Sequence, residues 1–226
     1  MAVMYQGQAQ QRIVAGIDTA IWALVGQEGT ISRSYVRGPG MSESRTAGRN
    51  LADAVHYLCV LHGRHPGVVD IAANMTADPV IGAWMAKVIE AFAEERRYMN
   101  KLAVEVGPQP STPGQAESVS TVNSQRHALE ILSRSDRDGC ALGAAIALVL
   151  DWVAVRNVLD RAATRLGMTP IPLGLPLEGD TLAMAAHYAT TPGIERAILF
   201  GAQQLVAQHR GLWNLLEARH LARADY

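Results

Sequence analysis

Three side chains have the types and placement to do chemistry together: Glu95, His62 and His209. Each interrupts an apolar pattern of helical spacing. Glu95 stands between Phe92 and Met99, His62 continues Leu51, Val55 and Leu58, and His209 falls between Leu205 and Leu212. An ionised carboxylate at a core position costs several kcal/mol, on the order of a buried unpaired ion, unless a cation, hydrogen bonds or a metal receive it. One carboxylate and two imidazoles are also a donor set for iron or another divalent metal. Glu95, His62 and His209 are therefore the candidate metal ligands. The competing reading is that Glu95 reaches solvent or pairs with an arginine, and that each histidine is a satisfied core residue.

Other spacings carry less. Glu217 and His220, Asp53 and His56, and His127 and Glu130 are three apart, as chance pairing among seven histidines and 21 acids allows. His62 and His65 share that spacing, but His65 precedes Pro66 and suits a helix terminus. Asp136 and Asp138 read as caps for the apolar segment that follows. There is no GxSxG nucleophile motif and no phosphate-cradling glycine loop after a strand.

The elements that must position these residues are helices. Stepping by four and three, Ile81, Met85, Val88, Phe92, Glu95, Met99, Leu102 and Val106 predict one long helix from Pro79 to about Val106. Thr76 or Asp78 caps it, with proline in its first turn. Further helices are expected over about 46–65, 68–75, 120–167 with a break near Asp138-Gly139, 181–189 and 192–222. An amphipathic segment precedes them, carrying Ile13, Ile17, Ile21 and Leu24. The stretch from Gln27 to Arg45, rich in Gly, Ser and Arg, reads as a loop or arm.

The chain also reads as if built twice. Ala72, Ala73, Pro79 and Ile81 fall without a gap on Ala185, Ala186, Pro192 and Ile194. In that register Arg96 aligns with His209 and Glu95 with Gln208, so a polar interruption recurs at one depth in both long helices. The fold class is all-α: two pseudo-repeated helix pairs, about 46–106 and 120–224, with a long proline-rich crossover at Gly107–Gln115 and an extra N-terminal helix. Residues 1–45 form the N-terminal helix and arm, and 46–226 a single duplicated bundle domain.

This layout resembles the ferritin-like four-helix-bundle superfamily. The resemblance implies a di-iron centre with a glutamate from each of two helices and Glu-x-x-His from each of the others. Here the third residue after Glu95 is Tyr98, so an intact paired centre is absent and only a reduced site around Glu95 is implied.

Composition narrows the partners. Hydrophobic residues are 49% and charged residues 18%, which excludes global disorder. The net charge is −1 and the arginines form no run, so neither nucleic acid nor a membrane is expected as a partner. Two cysteines without a CxxC pair suit a reducing cytoplasm. Two functional readings stand. The first is a helical-bundle protein acting through association, as a homodimer. The second is a ferritin-like metal-dependent oxidoreductase or small-ligand binder.

Overall fold

The computed structural model describes residues 16–224. The chain order is α1 (Ile17–Glu28), α2 (Ser34–Arg37), α3 (Ala47–His62), α4 (Val68–Ala72), α5 (Pro79–Glu105), α6 (Gln115–Ser133), α7 (Cys140–Arg165), α8 (Glu178–Tyr188) and α9 (Pro192–Ala224). No strand occurs among the described residues, and the protein is all-α. Ile13 of the first apolar stripe lies outside them.

Local chemistry accounts for the long elements. Asp78 starts α5: its Oδ1 accepts from the backbone N–H of Val80 at 2.8 Å and of Ile81 at 3.0 Å, and Pro79 needs no donor there. The stripe Ile81, Met85, Val88, Phe92, Glu95, Met99 and Leu102 is buried along its whole length. The helix stops at Gly107, which takes φ +74°, a conformation that L side chains rarely adopt. The crossover then runs to Gly114, and α6 starts at Gln115, five residues earlier than expected.

At the centre lies α7. Nineteen of its 26 residues are buried. It is long and apolar enough to cross a membrane, but 83% of its most apolar window is buried inside the protein. Small residues let α9 approach it closely. A Cβ on Gly143 would lie 1.9 Å from the carbonyl oxygen of Ile198, and one on Gly201 would lie 2.0 Å from that of Cys140. The α7–α9 contact is the most extensive in the fold, and α3, α5 and α6 also pack on α7.

The segment expected as a loop or arm, Gln27 to Arg45, holds short helical turns: 3-10 turns at Thr30–Ser32 and Pro39–Met41 flank α2. Thr30, Tyr35, Val36 and Met41 are buried. Their apolar side chains are spread too thinly for a periodic signal, yet each meets the core. The proline-led helices of the expected register are α5, which starts at Pro79, and α9, which starts at Pro192. The preceding long helices are not equally spaced from them: α3 ends 17 residues before Pro79 and α7 ends 27 before Pro192.

Candidate functional site

A continuous buried polar chain runs through the middle of the bundle. Thr30, His62, Glu95, Asp151, Trp152, Arg156 and His209 belong to it, and His62 is the most exposed of them at 6%. The 3-10 turn places Thr30, the C-terminal end of α3 places His62, α5 places Glu95, α9 places His209, and α7 supplies the rest.

Asp151 is the acceptor at one end. Its Oδ1 takes the backbone N–H of Thr30 at 2.7 Å, and its Oδ2 takes the Thr30 hydroxyl at 2.6 Å and His209 Nδ1 at 2.6 Å. Trp213 Nε1 donates to the Thr30 oxygen at 2.8 Å. Since a carboxylate only accepts, the hydrogen on His209 belongs on Nδ1. Its Nε2 then accepts from His62 Nε2–H, 2.9 Å away. The two imidazoles meet edge to face, with ring centres 5.0 Å apart at 83°. Burial, and then the proximity of His209, push His62 well below the usual imidazole range. His62 is therefore neutral, with its one hydrogen on Nε2.

Trp152 joins this half of the chain to the other. Its ring lies edge-on to His62 at 5.3 Å and against Phe92 at 5.0 Å, and its Nε1 donates to Glu95 Oε2 at 2.9 Å. Glu95 Oε1 accepts from Arg156 Nη1 at 2.7 Å. Arg156 also donates through Nε to Asp160 Oδ1 at 2.8 Å and through Nη2 to the Ile171 carbonyl, and it lies over the Tyr98 ring. Tyr98 donates its hydroxyl to the same Asp160 oxygen at 2.8 Å. Burial raises the Glu95 carboxyl, opposed by the bonds from Trp152 and Arg156. With a bonded guanidinium 2.7 Å away, the ionised form keeps its partner.

The structure thus brings His62 and His209 together, while Glu95 is joined to them through Trp152. The donor set does not fit the iron centre that the ferritin-like resemblance implies. Both Glu95 oxygens are taken by donors on α7, and the Nε2 atoms of the histidines face each other. Among the described residues no group of three or more His, Cys, Asp or Glu side chains is arranged to hold a metal ion. His220 bonds Asn50 Nδ2 through Nδ1, and His56 bonds the Gly107 carbonyl through Nε2.

A model of a family of unknown function matches residues 25–224. The chain belongs to the DUF6975 family. The matched span carries every residue of the buried chain, from Thr30 to Trp213. No curated protein and no solved structure matches the chain.

Sequence reasoning missed Thr30, Asp151, Trp152 and Arg156. Two signals were available. Asp151 is the first charge after the uncharged run from Gly139 to Leu150, and Arg156 and Asp160 stand at i,i+4. Neither signal says which helix faces them.

Proposed function

We propose that this protein is a non-catalytic helical bundle, built from duplicated helix pairs, that acts through association as a homodimer. The observation that carries the reading is the use of its buried charges. Asp53 meets Arg219 and Arg223, Asp70 meets Arg96, Glu95 meets Arg156, and Asp151 meets His209. Each acid that interrupts an apolar face is thus matched by a base from another element. Chemistry on a substrate needs a polar group left free in a cleft. Paired charges of this kind instead fix which helix faces which, because any other register strands an ion in the core.

Association is supported by the α6–α9 face. Ile131 and Phe200 are 61% and 41% exposed and flank a cleft of about 520 Å³ floored by Leu132 and Cys140. Arg134, Ser135, Asp136, Gln204 and Gln208 complete the lining, so exposed apolar side chains stand within a polar rim, the composition of a protein contact. Sedimentation equilibrium over a range of concentrations tests the reading. The expected result is a dimer that Ile131→Asp with Phe200→Asp converts to a folded monomer. A wild-type chain monomeric at every concentration would refute it.

A further inference from the structure

Positive charge is scattered in the sequence but gathered by the fold. Arg33, Arg37, Arg45 and Arg49 lie in the turns before and at the start of α3. The last turns of α7 come up against them. Arg161 Nη1 donates to the Val36 carbonyl at 2.9 Å, and a Cβ on Gly48 would lie 3.3 Å from Arg165 Nε. Glu43 and Asp160 lie among these arginines in the sequence, and Asp53 and Glu217 act on Tyr35 between Arg33 and Arg37. Arg33 Nε is buried with no hydrogen-bond partner among the described residues.

A cleft of about 530 Å³ opens at this junction, between the turn at Ser42 and α7. Asn157, Asp160, Arg161, Thr164 and Arg165 line it above Leu51. The volume is within the range that takes a small metabolite. Burial lowers the Arg161 pKa, as expected of a guanidinium drawn out of water. Arg161 spends Nε on the Asn157 carbonyl and Nη1 on the Val36 carbonyl, which fixes its guanidinium and leaves Nη2, with the Arg165 guanidinium on the same wall, for the oxygens of a phosphate. Asp160 gives Oδ1 to Arg156 and Tyr98, which leaves Oδ2 as an acceptor for a hydroxyl.

We propose that this cleft binds a small phosphorylated polyol, its phosphate on Arg161 and Arg165 and a hydroxyl on Asp160. The site does not depend on the dimer. Ligand chemistry of this kind is shared by sugar phosphates and by free phosphate, and the hydroxyl contact separates them.

Isothermal titration of the full chain with ribose 5-phosphate, inorganic phosphate and ribose tests this. Ribose 5-phosphate binds saturably and is displaced by inorganic phosphate, which binds more weakly. Arg165→Gln, at an exposed position, weakens binding about tenfold with an unchanged melting temperature. Arg64→Gln, an exposed arginine outside the cleft, leaves it intact. Three results would overturn the proposal: no saturable binding of ribose 5-phosphate, equal weakening by Arg64→Gln, or displacement of the phosphate ester by ribose alone. Tighter binding of a single-stranded oligonucleotide at the same arginines would also overturn it, making the patch a nucleic-acid surface.

Discussion

Nε2 of His62 stands 2.9 Å from Nε2 of His209, across 147 residues of sequence. Two imidazoles can meet this way only if one nitrogen donates and the other accepts. Asp151 settles the roles by drawing the His209 hydrogen to Nδ1, and Thr30 holds Asp151 with two bonds. With Nε2 already carrying its hydrogen, a further proton on His62 would go to Nδ1 and put a cation in a site only 6% exposed.

Stability should therefore fall in mild acid. His62 in the unfolded chain takes a proton below its ordinary value of 6.5, while the folded chain holds His62 well below that. The unfolded state then binds more protons, so stability declines as pH drops below about 6.5, at up to about 1.4 kcal/mol per pH unit. Above that value His62 is neutral in both states and contributes no slope. Glu95 acts in the opposite sense, because its raised carboxyl pKa favours the fold at the acid end. Urea unfolding at several pH values, with His62→Gln beside the wild type, isolates the histidine. Identical slopes for the two chains would show that His62 does not titrate as argued.

Replacing Glu95 by leucine should cost about 3–5 kcal/mol, although leucine suits the apolar stripe. The cost comes from Arg156, left buried with one carboxylate fewer, and from Trp152, whose N–H loses its acceptor. Adding Arg156→Met to Glu95→Leu should restore most of the loss, since the pair then becomes a hydrocarbon contact. Thermal melts of the two single variants and the double variant check this. A Glu95→Leu chain as stable as wild type would rule out the pairing as a source of stability.

How far the sequence could be read follows from the same residues. The stripe of α5, its Asp78 cap and its end at Gly107 were legible because they depend on neighbours a few residues away. Glu95 was legible as out of pattern for the same reason. Its partner was not: Arg156 is 61 residues on, and Arg96 and Arg97 stood closer. Arg96 turned to Asp70 and Arg97 to Glu94, because each follows the face its helix position dictates. The turns at residues 30–41 read as part of a loop or arm because three-residue helical turns leave no periodicity. Glu95 and His209 were each visible as polar interruptions, but the placement of Trp152 between Glu95 and the histidines depends on how α7 is rotated between α5 and α9.

Asp53 should hold the crossover shut. Arg219 donates to both of its oxygens and also to Thr112 Oγ1, Gln115 Oε1 and the Pro110 carbonyl. Arg223 joins Asp53 to Thr112 and Asn50. Asp53→Ala leaves two guanidinium groups without their carboxylate and should lose about 3–5 kcal/mol. Limited proteolysis mapped by mass should find earlier cleavage within residues 107–115. An uncut crossover with an unchanged unfolding midpoint would contradict this assignment.

Three glycine-to-alanine changes should differ in sign. In Gly201→Ala the new Cβ would stand 2.0 Å from the Cys140 carbonyl oxygen and 3.0 Å from the Ala144 nitrogen, both backbone atoms that cannot rotate away. The helices α7 and α9 must separate, and the change should cost at least about 1–3 kcal/mol, as overpacking does. Gly143→Ala meets the Ile198 carbonyl from the other side and should behave alike. Gly82 lies inside α5 with nothing within 4 Å of a new Cβ. There alanine restricts the unfolded chain and favours the helix, which should stabilise by about 0.5–1 kcal/mol. Chemical denaturation of the three variants decides it. Equal effects at Gly82 and Gly201 would mean that helix propensity, and not the close crossing of α7 and α9, governs these positions.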